Sequence, residues 1–209
     1  MRTRWISRLL SIILITGSLI LVPGARHAYA AFPGLSGRIV FVGVSSGGYE
    51  NDIFSMNPDG TGRVRLTSKY YDRFPAVSPD GSRIAFVRPR NIGETPGSLD
   101  DELYVMNADG TGVIRLTDDH VSQSWPAWSP DGLRIAFWDL DYSGGGNSGI
   151  YTMKADGTDV QLVAAGGAEP AWSPDGTQIA YAFPDGSDWE IYRTAADGTG
   201  SPTPVTSDP

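Results

Sequence analysis

The chain has 209 residues, 24 acidic against 16 basic side chains, a net charge of −8 and no cysteine. The absent cysteine rules out disulfides and thiolate zinc sites, so any folded domain holds together by packing alone. The acidic balance disfavours nucleic acid and anionic membrane surfaces as partners and favours solubility, basic partners or cations.

The first thirty residues do not read as part of a fold. A basic start, "MRTRWISR", precedes an apolar run over residues 9–22, and "AYA" ends at Ala30. A positive n-region, a short h-region and a small-x-small site describe a secretory signal, with cleavage expected between Ala30 and Ala31. The run is short of the roughly 18 residues a spanning helix needs, so no stable membrane insertion is expected after cleavage. Residues 1–30 hold four arginines and no acid, so removing them takes the net charge from −8 to −12. The chain is then expected in the periplasm or the medium.

Two phrases recur through residues 31–209. "PAVSPDGSRIAF", "PAWSPDGLRIAF" and "PAWSPDGTQIAY" begin at Pro75, Pro126 and Pro170. A second phrase runs "DIFSMNPDGTG", "ELYVMNADGTG", "GIYTMKADGTD" and "EIYRTAADGTG", with Asp-Gly aspartates at Asp59, Asp109, Asp156 and Asp197. Spacings of roughly 40–50 residues mark a propeller, solenoid or array. Ser-Pro-Asp-Gly suits a turn, with Pro at its second position, Asp at its third and Gly at its exit, so it joins a strand A to a strand B. The Ala-Asp-Gly-Thr turn joins a strand C to a strand D.

The residues along strands B and C are apolar at both parities, for example Ile84 to Val87 and Leu103 to Met106. Strands covered on both faces read this way. Strand D alternates, which predicts Ile114 and Leu116 inward with Arg115 and Thr117 outward. The fold class is therefore all-β: a β-propeller of about four four-stranded blades, over units of about 37–67, 72–117, 122–163 and 167–206. Trp128 and Trp172 are expected to pack between blades, with Val77 in the first copy of the phrase. Only "AFPGLS" precedes strand B of the first unit, so its strand A is missing or unrecognisable.

The motifs "PAWSPDG…IAF" and "IY.MNADGTG..RLT" resemble the WD-repeat-like propeller repeat of the TolB family, which also occurs in propellers of prolyl-oligopeptidase-type enzymes. The resemblance covers residues 37 to about 206. It implies an exported propeller that binds proteins, and it implies six or more blades for this repeat. TolB carries an α/β domain before its propeller and the peptidases carry a hydrolase domain; this chain has room for neither. Three arrangements stay open: a tight four-bladed ring, an open arc that a second copy completes as a homodimer, or a piece of a longer protein.

Both Asp-Gly turns of a blade lie at one end, so the B–C loops and D–A links share the other. That end collects the variable segments 88–101, 118–124, 139–148 and 184–189, and irregular loops on a rigid scaffold are where binding usually sits. Partner-binding candidates there are Arg90, Glu94, Asp139, Tyr142 and Trp189. No catalytic residue, cofactor or metal ligand is assigned. "GVSSG" at residues 43–47 has the G-x-S-x-G spacing, yet it leads into a strand, and the single histidine of residues 31–209 is His120, about 75 positions on. "GGGNSG" at 144–149 also precedes a strand, not a helix N-terminus. Residues 139–145 begin like a calcium loop but carry Ile150 where the bidentate Glu belongs. The leading expectation is a non-enzymatic module that binds a protein partner in the cell envelope. The alternatives are the propeller remnant of a peptidase or hydrolase, and a carbohydrate-binding propeller.

Overall fold

The computed structural model describes residues 37–44, 51–68, 71–90, 101–119, 121–141, 148–186 and 188–206. Within them the chain forms strands only, and no helix is long and apolar enough to cross a membrane. The first sheet holds β1 (Ile39–Val44), β2 (Asn51–Met56) and β3 (Val64–Arg65). The second holds β4 (Arg73–Val77), β5 (Arg83–Pro89), β6 (Asp101–Asn107) and β7 (Ile114–Arg115). The third holds β8 (Ser122–Trp128), β9 (Arg134–Leu140), β10 (Gly149–Lys154) and β11 (Gln161–Ala165). The fourth holds β12 (Ala168–Trp172), β13 (Gln178–Asp185), β14 (Asp188–Ala195) and β15 (Thr203–Pro204). Each is an antiparallel meander in chain order, the blade that the two recurring turns specify.

The turns form as their residues require. In the corner before β5, Asp80 Oδ1 accepts the Ser82 amide at 3.0 Å and the Ser78 hydroxyl at 2.6 Å, while Gly81 takes φ +71°. Asp131 and Asp175 repeat these bonds. All three aspartates are turn formers. The C–D turns use a second device, in which Asp59, Asp109, Asp156 and Asp197 each accept the amide and hydroxyl of the threonine two residues on.

Strand A carries a feature the repeat does not announce. Phe74, Trp125 and Glu169, each just before proline, have φ of 52°, 54° and 55°, a region non-glycine residues rarely enter. The register of strand A against strand B shifts at that point in all three blades. The result is a recurrent β-bulge that bends the strand and leaves two residues out of the ladder.

Successive sheets pack face to face, and the A strands β4, β8 and β12 touch in series. The first and fourth sheets share no packed interface, so the described residues form an arc. Each seam has its own apolar cluster. Ala85, Val87, Leu103 and Val105 of the second blade meet Trp128, Ile135, Phe137 and Met153 of the third. Ala136, Ile150 and Val163 meet Ile179 and Tyr181 at the next seam, and Val40 and Ile53 meet Ile84, Phe86 and Met106 at the first. A fully buried side chain of this size contributes about 1.5–3 kcal/mol, so the seams rather than the ladders carry most of the stability. The indoles sit in these seams as expected: Trp128 Nε1 donates to the Ala76 carbonyl and Trp172 Nε1 to the Ala127 carbonyl, both at 3.0 Å.

Strand D meets expectation at Leu116, which packs against the second-seam cluster, and departs from it at the neighbouring positions. Ile114 is 62% exposed, whereas Thr117 is buried and Arg115 turns inward. Polar demand decides the parity here. The Leu103 amide needs an acceptor and finds Thr117 Oγ1 at 2.9 Å, and the buried Glu102 carboxylate needs a cation. The same threonine bond recurs from Ile53 to Thr67 and from Ile191 to Thr206.

Candidate functional site

The end opposite the Asp-Gly turns carries a charged network between the second and third blades. Glu102, the second residue of strand β6, has a fully buried side chain, and β7 supplies Arg115, whose Nη2 meets Glu102 Oε1 at 2.7 Å. Arg90, just past β5, approaches the same carboxylate oxygen at 3.5 Å and meets Asp118 Oδ1 at 2.7 Å. It also donates to the Asp119 carbonyl. Arg115 reaches Asp118 at 2.7 Å as well. The start of a B–C loop is thus tied to the D–A link of the same blade, so the shared end inferred from strand parity is physically one surface.

Gln123 of β8 extends this network into the third blade. Its Oε1 accepts the Thr117 hydroxyl at 2.8 Å, and its Nε2 donates to Asp119 Oδ1 at 2.8 Å and towards Asp139 Oδ2 at 3.4 Å. Burial pushes the Asp139 carboxyl up to about 6 against the pull of the Gln123 bond, and the negative charges of Asp119, Asp141 and Glu102 push it the same way. Burial also raises Glu102, with Thr117 and the Arg115 charge opposing. Among the described residues Glu102 Oε2 has no hydrogen-bond partner. On the inner side Arg88 grips Asp72 with two bonds of 2.7 and 2.9 Å and lies over the rings of Phe86 and Tyr104. Arg73 pairs with Asp101.

Of the sequence candidates, the structure brings Arg90 and Asp139 into this one network. Arg90 acts there as a structural cation already engaged by two acids. Trp189 lies at the same end of the fourth blade and is 60% exposed. Glu94 and Tyr142 lie outside the described residues, as do His120 and most of the "GVSSG", "GGGNSG" and calcium-like segments. Among the described residues no group of three or more His, Asp and Glu is placed to hold a metal ion.

Glu102, Arg115, Asp118, Asp119 and Gln123 were not picked out from sequence. A signal for the first two was present in the repeat: an acid stands near the start of strand C, just before its apolar run, in three units, as Asp52, Glu102 and Glu190. In the first blade it pairs with the matching strand D arginine, Asp52 with Arg65 at 2.6 Å. The third unit has Gly149 at this position, where a Cβ would stand 2.4 Å from the Ala164 carbonyl.

The family model described as the TolB beta propeller domain matches residues 68–206, well over half of the chain. No curated protein matches it. Among solved structures, TolB from Acinetobacter baumannii is 22% identical with a TM-score of 0.67, over 85% of this chain and 42% of that one. A TolB-assigned protein from Agrobacterium tumefaciens is 21% identical with a TM-score of 0.68, over 81% and 61%. Puromycin hydrolase is 20% identical with a TM-score of 0.60, over 84% and 30%. The chain spans less than two thirds of each of these, and at such identities the likeness is one of fold. With its blades built on the repeated turns and a family match running to the last of them, the chain belongs to the TolB beta propeller domain family.

Proposed function

We propose that the chain is an exported, non-enzymatic propeller that binds a protein partner in the cell envelope through the loop end of its second and third blades. The observation that carries this reading is the Arg90–Asp118 and Gln123–Asp119 network. It fixes segments of two blades into one surface with surplus negative charge, as a recognition surface requires. The signal-like residues 1–30 and the family support export. The partner segment that suits such a surface is basic.

The test is photo-crosslinking in the cell envelope with the probe at position 121, comparing the natural chain with Asp119→Lys. A discrete adduct that disappears in the variant, at unchanged melting temperature, supports the proposal. An identical adduct pattern in both proteins rejects it. The likeness to puromycin hydrolase favours a second reading, a propeller that serves a hydrolase. Turnover of peptide or ester substrates by the purified chain would replace the first reading with the second.

A further inference from the structure

Strand B opens with Arg83 in β5, Arg134 in β9 and Gln178 in β13. Arg83 reaches across the second seam, where its Cζ lies 4.8 Å from the centre of the Trp128 ring. Among the described residues no cation takes that place over Trp172 at the third seam. Arg134 is held elsewhere. Its Nη2 donates to Thr152 Oγ1 at 3.0 Å and to the Asp159 carbonyl at 2.9 Å, and its Nη1 meets Asp159 Oδ2 at 2.7 Å.

Both of these partners are residues that the second blade lacks. Ala85 faces Val105 in the second blade and Ala136 faces Thr152 in the third, so Arg83 has no hydroxyl where Arg134 finds one. Asp159 stands where the other C–D turns have Gly62, Gly112 and Gly200. It holds a left-handed φ of 56° there, a conformation costly to a residue with a Cβ. Thr152 and Asp159 together draw Arg134 back into its own blade.

The consequence is a difference between two hollows at the Asp-Gly turn end. The hollow at the second seam is lined by Asp80, Arg83 and Asp131 among others, and Trp128, only 8% exposed, is not in its wall. At the third seam a cavity of about 500 Å³ has Trp172, Asp131, Asp175 and Asp197 in its lining. Its size falls within the range of small-ligand pockets. Oδ1 of each aspartate takes the bonds of its own turn, which leaves Oδ2 to a ligand. The Ser129, Ser173 and Thr199 hydroxyls hold the three carboxyls below the usual range, so all three are charged at neutral pH. Arg134 also lines the cavity, but its charge is already met by Asp159. An indole beside uncompensated carboxylates suits a cation, and the second seam shows which one this architecture accepts.

We propose that the third-seam cavity binds an arginine side chain of a peptide or protein, with its guanidinium on the Trp172 indole and its N–H groups donating to the surrounding aspartates. Arginine fits better than lysine because its planar fork stacks on an indole and pairs with carboxylates at once. An arginine within a peptide also brings no carboxylate of its own into an acidic cavity. The site lies at the opposite end from the Arg90–Asp118 network and does not depend on the proposed function.

The probe is an end-blocked Gly-Arg-Gly tripeptide, with a Gly-citrulline-Gly tripeptide as a neutral control of the same shape. Binding to the exported chain is read from the Trp172 indole N–H resonance, assigned by its loss in Trp172→Phe. A saturable shift with the arginine peptide is expected, with the citrulline peptide at least about tenfold weaker. Thr152→Val/Asp159→Gly gives the third blade the residues of the second and frees Arg134 to cover Trp172. That variant is expected to bind the arginine peptide at least about tenfold more weakly at a retained melting temperature. Asp175→Asn/Asp197→Asn, whose amide oxygens can keep the turn bonds, is expected to weaken binding as well. No saturable shift, equal binding of the citrulline peptide, or undiminished binding in both variants overturns the proposal. Tighter binding of free arginine than of the tripeptide overturns a peptide as the occupant.

Discussion

The indole of Trp128 donates to the carbonyl of Ala76 across the second seam at 3.0 Å, joining the A strands of neighbouring blades 52 residues apart. The Arg83 guanidinium lies over the same ring at 4.8 Å. Trp128→Phe keeps an aromatic ring and removes the donor, so it is expected to cost about 1–2 kcal/mol. Trp128→Ala also opens a void in the seam and is expected to cost about 3–5 kcal/mol. Urea unfolding of the two variants measures both. Equal losses would mean that the seam depends on ring volume and not on the inter-blade hydrogen bond.

The seams also explain a difference between two glycines that are locally alike. Gly60 and Gly157 hold the same place in the C–D turn, with φ of 83° and 87°. A Cβ at Gly157 would stand 2.9 Å from the Leu116 carbonyl of the preceding blade, whereas at Gly60 it would meet nothing within 4 Å among the described residues. Both alanine variants suffer the left-handed penalty of about 1–2 kcal/mol. Gly157→Ala is expected to lose at least about 1 kcal/mol more, because backbone must move. Matching losses in chemical denaturation would count against the tight approach of the blades.

Features written within one turn were legible in the sequence. The Asp-Gly corners, the doubly apolar B and C strands and the seam tryptophans all follow from short-range chemistry that repeats. What stayed hidden depends on contacts between units. Arg90 and Asp118 are 28 residues apart, and nothing local marks either as the other's partner. Gln123 and Glu102 sit among other polar residues near the starts of strands, and only their burial reveals a role. Thr117 turns inward against expectation because a strand C amide needs its oxygen, while Leu116 beside it still packs on the seam.

Glu102 and Arg115 illustrate that long-range dependence in energetic terms. The carboxylate is fully buried and its shortest cationic contact is Arg115 at 2.7 Å. Arg115→Met leaves a buried charge with only the 3.5 Å approach of Arg90, and a loss of about 3 kcal/mol at pH 7 is expected. Because burial already raises the Glu102 carboxyl, the deficit is expected to shrink as the pH falls and the acid takes up a proton. Adding Glu102→Gln to the variant should recover most of the loss at pH 7. A deficit independent of pH would place the role of Arg115 in packing alone.

Asp139 and the corner aspartates pull stability in opposite directions with pH. Asp139 titrates at about 6 in the fold and near 3.9 when unfolded. Between those values the folded state binds more protons, so stability falls as the pH rises through the window. Glu102, also raised, adds to this descent. Asp80 and Asp175 are held at about 2, chiefly by the Ser78 and Ser173 hydroxyls. Their contribution is present above about pH 4 and is lost as the pH falls towards 2. For these groups the two limbs meet near pH 4–5, on the acid side of neutrality. Asp139→Asn removes part of the upper limb. A shift of about two pH units corresponds to roughly 3 kcal/mol, and partial solvent screening reduces the expected gain at pH 7 to about 1–2 kcal/mol. No gain is expected at pH 4, where the natural carboxyl is already protonated. Denaturation midpoints of both proteins from pH 3 to 8 measure this. A maximum at neutral pH that the substitution leaves in place would show that Asp139 is solvated in the fold.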